Sequence, residues 1–269
     1  MNHVVSALPV MFRLSIATMI QYRAEVALWA LWGIVSPAVL MAVWTAAAHG
    51  SATPGQVGGL SVGQLLAYFY MTMIVGHLTT AWDVYEMGWL VRTGALSARL
   101  LKPILPIWES LADNVAYKLV TLALLAPIWL LLAVLVRPDF QAGAFDWLLA
   151  PVAVGLAGLV AFVWGYVIAT LAFFVTKMDS FSELYFGLGM FLGGRFVPIS
   201  LLPGPLRWLS AALPFRWMYA YPSELLAGQL SREAALIGLL CQAAWLAAGI
   251  AALGFCWRTG LKRYSAVGA

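Results

Sequence analysis

The chain has 269 residues, of which 63% are apolar and only 10% are charged, whereas a soluble domain carries roughly a quarter charged residues. Such a composition leaves too few polar side chains to cover a soluble globule, and it is the opposite of the disordered signature. The formal charge is +4, but the cations occur singly or as the Lys262–Arg263 pair. An integral membrane protein is therefore predicted, with no nucleic-acid partner.

The predicted elements begin with residues 1–22, where His3, Ser6, Arg13 and Gln21 share one arc of a helical projection. This pattern favours an amphipathic helix in the cytoplasmic interface, with a frayed terminal extension as the alternative. Six later stretches have the roughly 20 mostly apolar residues that a helix needs to cross the hydrocarbon core. The predicted fold class is an all-α integral membrane protein with six transmembrane helices. The predicted spans are 26–48, 62–82, 115–136, 147–175, 181–201 and 234–257.

The cations divide unequally between the two sides of these spans. An excess on one side marks that side as cytoplasmic, so both the N- and C-termini are expected in the cytoplasm. The inner side would hold Arg13, Arg23, Arg92, Arg99, Lys102, Lys118, Lys177, Arg258, Lys262 and Arg263. The outer side would hold Arg137, Arg195, Arg207, Arg216 and Arg232.

Small residues recur at helical spacing in the later spans, which predicts close helix packing. They are Ala153, Ala157, Ala161, Gly165 and Ala169 in span 4, Gly189 and Gly193 in span 5, and Ala244, Ala248 and Ala252 in span 6.

Motifs for nucleotide, metal and nucleophilic chemistry are missing from the sequence. A P-loop needs Gly directly before Lys, and the four lysines follow Leu101, Tyr117, Thr176 and Leu261. Histidines and cysteines do not cluster at metal-ligand spacing, and no GxSxG or HExxH motif occurs. We therefore expect no catalysis by this chain, and no cofactor or metal on it.

Residues 92–102, between spans 2 and 3, form a basic segment with two leucines on one helical face. Thr93 could cap a short helix that Pro103 ends. Such a helix fits a partner's groove or a layer of anionic headgroups, and the residues alone favour neither. The residues of this candidate docking helix are Arg92, Thr93, Gly94, Leu96, Arg99, Leu100 and Lys102.

Residues 198–228 follow span 5 and combine five prolines with many Trp, Tyr and Leu residues. The segment is too apolar for a solvated loop and too interrupted for a span. Short, half-inserted helices at the outer interface are predicted, with the aromatic rings at headgroup depth.

The amphipathic start, six spans, the RTGALSARLLKPI segment and the PISLLPGPLRWLSAALPF segment together resemble the membrane-spanning permeases of type-2 ATP-binding-cassette (ABC) exporters. The resemblance covers essentially the whole chain. It implies one transmembrane domain, 1–269, paired with a second copy or a homologous permease and docked on a separate ABC ATPase subunit. ATP and Mg would bind that partner.

The resemblance also implies roles for the non-spanning segments. Residues 92–102 would be the coupling helix, with Leu96 and Leu100 in the ATPase cleft, and residues 1–22 the connecting helix beside it. Residues 198–228 would be re-entrant helices of an outer gate. The gate residues would be Arg195, Pro198, Pro203 and Pro214.

Ionisable groups near the ends of the spans have two interpretations. A salt-bridge network that fixes the helix ends is favoured, and a functional role is the alternative because charges at membrane depth are costly. Arg195 could extend to the outer interface or face a cavity. The inner groups are His77, Asp83, Glu86, Asp113, Lys118 and Glu183. Aromatic residues that could line a substrate path, or simply pack, are Trp44, Tyr68, Phe69, Tyr70, Trp164 and Tyr166.

The function expected from these features is that of a multi-pass permease in the cell's inner or plasma membrane. It would export an amphipathic, lipid-like or drug-like substrate with energy from a partner ATPase. One alternative is a stand-alone secondary transporter, which should show internal repeats; none is convincing here. The other is an intramembrane enzyme, against which the missing nucleophile–base pair argues.

Overall fold

The computed structural model describes residues 2–51, 53–175 and 177–264, and about 80% of the chain is helical. The predicted class, an all-α membrane protein, is confirmed. Met1 of the predicted N-terminal helix and the end of the predicted domain, 265–269, lie outside the described residues. The helices are α1 Asn2–Gln21, α2 Arg23–His49, α3 Val62–Thr79, α4 Asp83–Arg92, α5 Ala95–Leu100, α6 Pro106–Val136, α7 Ala144–Ala169, α8 Asp179–Leu192, α9 Gly204–Ala211, α10 Pro214–Met218, α11 Ala220–Leu226 and α12 Arg232–Leu261.

Shorter elements complete the described chain. Single 3₁₀ turns cover Thr170–Phe173 and Ile199–Leu201. Two antiparallel strands, β1 Gln56–Val57 and β2 Leu60–Ser61, pair in the loop between α2 and α3. Ser61 also begins α3, where its side chain and that of Gln64 form a capping box.

Four helices in the described part of the chain are long and apolar enough to cross a membrane. They are α2, α6, α7 together with its 3₁₀ extension, and α12, and they contain most of predicted spans 1, 3, 4 and 6. The other two predicted spans correspond to shorter helices. Helix α3 has 18 residues, about 27 Å, and α8 has 14 residues, about 21 Å.

The fifth predicted span, 181–201, is wrong in its extent, because α8 ends at Leu192. Gly194 has φ +76°, a left-handed conformation that glycine adopts without steric cost and that turns the chain away from the helix axis. A Cβ at this position would lie 2.4 Å from the Tyr68 hydroxyl oxygen. The chain continues as an irregular segment rather than as a span.

Two large buried clusters form the interior. The first, called here core A, contains Val84 and Leu96 of α4 and α5, Tyr166 of α7, Tyr185 of α8 and Met218 of α10. The second, core B, joins α2, α3 and α6 through residues such as Met41, Phe69 and Leu125. Helix α1 lies against α6, and α12 packs mainly on α7.

The small residues predicted to form a close contact in span 4 are all buried. Those of span 6 are not: Ala244 and Ala248 are exposed, and α12 instead buries Gly238, Gln242 and Gly249. The reason is the size of the side chains that pack against α12. A Cβ on Gly238 would lie 1.9 Å from the Tyr221 ring, so this contact needs glycine rather than alanine.

Candidate coupling segment, outer gate and cavity

The predicted coupling helix is shorter in the structure than residues 92–102. Arg92 ends α4, and Gly94, with φ +74°, precedes α5. Thr93 was predicted to cap this short helix, and that prediction is wrong. Its hydroxyl donates backward to the carbonyl oxygen of Trp89 at 2.8 Å. The turn therefore relies on the left-handed glycine, and residues 92–102 form a helix end, a turn and a six-residue helix.

The two leucines predicted to dock a partner differ in exposure. Leu96 has 0% of its surface exposed and belongs to core A, so the expectation that it enters a partner's cleft is wrong. Leu100 is half-buried against the same core. The exposed apolar side chain is Leu101, at 89%, next to exposed Lys102 and Pro103. Leu96 therefore holds the segment in core A, whereas Leu101 is the leucine exposed on its surface.

Ion pairs connect this segment to the helices on either side. Arg99 Nη1 lies 2.9 Å from Glu86 Oε1 in α4 and its Nε 3.7 Å from Glu109 Oε2 in α6. Lys102 Nζ lies 2.6 Å from Glu109 Oε1. Single pairs at a surface stabilise little, but this network spans three helices and orients α5. Sequence reasoning missed Glu109, because predicted span 3 began at residue 115.

The remaining inner ionisable groups do not form the single salt-bridge network that the sequence favoured. His77 Nε2 lies 2.8 Å from Thr121 Oγ1. Asp113 accepts a hydrogen bond from Ser15 of α1, and Lys118 donates to Asn114 one turn away. Among the residues described, Glu183 is exposed and in no ion pair. Neutral partners thus replace most of the expected charge pairs.

Asp83, the first residue of α4, is buried, and its Oδ2 has no hydrogen-bond partner in the structure. Burial, and to a smaller extent the nearby Glu86, raises the pKa of this carboxyl from 3.8 to about 7. Because the folded-state pKa exceeds the unfolded one, the folded protein loses stability as pH rises from about 4 to about 7.

Replacing Asp83 by Asn should therefore raise the thermal midpoint at pH 8, by about 3 to 8 °C, since the amide needs no desolvated charge. The measurement is thermal unfolding of the purified chain in detergent at pH 8 and at pH 5. The difference between variant and parent should shrink at pH 5. An equal shift at both pH values would contradict the ionisation argument.

The outer segment forms short helices, as predicted: α9, α10 and α11 lie within residues 198–228. Pro214 is buried at the first turn of α10, and Pro203 is exposed just before α9. Pro198 is buried just before the 3₁₀ turn. Prolines thus begin these elements, where their missing N–H costs nothing.

A buried ion pair, which the sequence did not reveal, lies within these short helices. Arg216 Nη2 of α10 is 3.3 Å from Glu224 Oε2 of α11, and Glu224 is almost fully buried. Nearby, the Tyr68 hydroxyl of α3 donates to the Gly194 carbonyl at 2.7 Å. Gln242 of α12 donates to the carbonyls of Ala153 and Trp217 at 3.0 and 2.9 Å. The bond to Trp217 fastens the outer segment to α12, and the bond to Gly194 fastens the turn before that segment to α3.

Arg195 faces a cavity rather than the outer interface. Its guanidinium carbon lies 5.0 Å from the centroid of the Tyr219 ring, a cation–π distance. With His77 it lines a cavity of about 380 Å³ between α2, α3, α4, α6 and α8.

The aromatic residues predicted as possible path residues mostly pack elsewhere. Tyr68, Phe69, Tyr70 and Tyr166 are buried in the two cores, and Trp164 donates to the Trp245 carbonyl. Trp44 packs beside core B. The rings that line the cavity are instead Trp29, Trp32, Trp82, Tyr85, Tyr117 and Phe186.

A family model described as ABC-2 family transporter protein matches residues 51–268. The chain belongs to this family. No curated protein and no solved structure gives a significant match. The resemblance stated from the sequence is thereby confirmed: this ABC-2 family member is a membrane protein and a permease of an ABC-type transporter, rather than an enzyme. The matched range includes the coupling segment and the outer helices.

Proposed function

We propose that this permease is one half of an ATP-driven exporter in the cell's inner or plasma membrane. It forms a single transmembrane domain of six spans, α2, α3, α6, α7, α8 and α12, with both termini in the cytoplasm. A second copy or a homologous permease completes the substrate path. A separate ABC ATPase subunit binds ATP and Mg, in keeping with a sequence that has no P-loop.

The observation that carries this proposal is the coupling segment. It exposes Leu101 and Lys102 while Leu96, five residues before Leu101, is enclosed in core A. An exposed leucine with a basic neighbour suits a groove on a partner. The ion pairs of Arg99 hold the segment to α4 and α6, so a force applied at Leu101 reaches both helices.

Export requires the outer end to respond to this force. Helix α10 contacts α7, α8 and α12, and α11 contacts α3 and α7. ATP-driven closure of the ATPase would bias the permease between inward-open and outward-open states. In that cycle α9, α10 and α11 form the outer gate, with Arg195, Pro198, Pro203 and Pro214 at or near its joints. The aromatic lining of the 380 Å³ cavity supports the proposal that the substrate is amphipathic, lipid-like or drug-like.

The test is co-purification of the permease from its native membrane in mild detergent. A P-loop ATPase should accompany the parent chain in stoichiometric amount, and Leu101→Asp should lose at least about nine-tenths of it, since a buried unpaired charge opposes docking. Leu206→Asp, on the outer helix α9 where Leu206 is also exposed, is the matched control and should retain the ATPase.

Two outcomes would contradict the proposal. One is transport by the chain alone, driven by an ion gradient, which would identify a secondary transporter. The other is an ATPase that remains bound to the folded Leu101→Asp variant.

A further inference from the structure

A second cavity adjoins the one that Arg195 lines, and its chemistry is different. It has a volume of about 570 Å³ and is lined by Glu25, Val26, Trp29, Trp82, Tyr85 and Tyr117. The two cavities share Trp29, Trp82, Tyr85 and Tyr117, so these four rings stand at their common boundary. A volume of this size is typical of sites for small organic ligands.

Two of the shared rings, Trp82 and Tyr85, pack against Phe186 of the 380 Å³ cavity. Tyr85 and Phe186 stack with centroids 5.3 Å apart and planes 5° from parallel, and Trp82 lies 5.3 Å from Phe186. Trp29 and Trp82 are more than half exposed, so a large part of each ring is open to a ligand. Aromatic faces carry negative electrostatic potential, which attracts organic cations.

The charges at this cavity have the matching sign. Glu25 is the one ionisable carboxylate that lines it. Glu183 and Asp179 lie near Tyr85. Burial raises the pKa of the Tyr85 phenol, and these two carboxylates raise it further. Within the described residues, no ion pair includes Glu25, Asp179 or Glu183. Three carboxylates without cationic partners therefore face or flank an aromatic surface.

Among the described residues that line the two cavities, the one arginine lies at the far side from Glu25. Arg195 lines the 380 Å³ cavity but not the 570 Å³ one, whereas Glu25 lines only the latter. A cationic ligand is thus attracted to the Glu25 end and repelled from the Arg195 end. An anionic ligand would instead be repelled from the Glu25 end and attracted to the Arg195 end.

From this arrangement we infer that the cavity lined by Glu25 and the four aromatic rings is a binding site for aromatic or quaternary organic cations. Glu25 supplies the countercharge, and Trp29, Trp82 and Tyr85 supply the ring faces. Naming the cation as the transported substrate rests on the proposed function, whereas its binding does not.

The experiment measures binding of labelled methyltriphenylphosphonium to the purified chain, immobilised in detergent, by scintillation proximity. Triphenylphosphine oxide, a neutral molecule of similar shape, serves as the competitor. The dissociation constant of the cation should be at least about tenfold lower than the inhibition constant of the oxide. Glu25→Gln should weaken binding about fivefold and Trp29→Leu about tenfold, from the loss of a countercharge and a ring face.

Glu233→Gln is the matched control, because Glu233 is an exposed carboxylate of α12 that does not line the cavity. The affinity of this variant for the cation should be unchanged. Equal affinity of the parent chain and the Glu25→Gln variant would overturn the inference, as would displacement by the oxide at the same concentration as by unlabelled cation. This assay contains no ATPase. Cation binding without ATP-driven transport would count against the proposed function alone, and ATPase coupling without cation selectivity against this inference alone.

Discussion

Replacing Arg216 by Met is expected to destabilise the protein by about 3 kcal/mol, because it leaves the carboxylate of Glu224 buried without its partner. The pair joins α10 to α11, so the first consequence should be loosening of the outer segment. The measurement is the thermal midpoint of the purified chain in detergent, which should fall by several degrees. Limited proteolysis should reveal new cleavage within residues 213–228.

The double variant Arg216→Met with Glu224→Leu separates the charge effect from the loss of packing. Removing both members of a buried ion pair is often close to neutral, so the double variant should recover most of the lost stability. If it is as unstable as the single variant, Arg216 acts through its packing against Trp217, over whose ring its guanidinium lies at 5.4 Å, and not through the ion pair.

Replacing Leu96 by Asp is expected to prevent folding of the coupling region. Leu96 is fully enclosed in core A, and an ionised carboxylate there would have no cationic partner. The cost of burying an isolated charge exceeds about 4 kcal/mol, a large part of the stability of a typical domain. The yield of monodisperse protein in size-exclusion chromatography should therefore collapse.

Leu101→Asp provides the contrast at the same segment. Leu101 is 89% exposed, so this change should leave the thermal midpoint within about 2 °C, as for most surface substitutions. Together the two variants distinguish an anchoring leucine from a docking one. Normal yield and stability of Leu96→Asp would show that α5 is not held in core A.

Composition and periodicity predicted what depends on the average chemistry of long segments. The membrane class, the long helices and the small-residue face of α7 follow from apolar runs and from the spacing of Ala153, Ala157 and Ala161. The short outer helices follow from the five prolines that interrupt residues 198–228. These features need no knowledge of the neighbours of any residue, and the structure contains them.

The sequence could not predict which face of a short helix is buried. Leu96 and Leu100 share a face in α5 as the spacing indicates, but the direction of that face depends on the turn at Gly94. Similarly, Glu109 became part of a charge network only because α6 begins nine residues before the apolar run. The pairing of Arg216 with Glu224 depends on how α10 and α11 fold back on each other. Such outcomes are tertiary, since they depend on the packing of whole elements.

The extent of core A has a mechanical consequence. The same buried cluster contains Leu96, at the segment proposed to receive the ATPase, and Phe215 and Met218 of α10, at the proposed outer gate. Packed protein interiors are about as dense as organic crystals and compress little. In the orientation proposed above, a push on the inner end of this cluster would therefore be passed on to its outer end, and the cluster would act as a continuous strut between the two. Truncating Tyr166, which is fully buried in this cluster, would open a void in it and soften that strut.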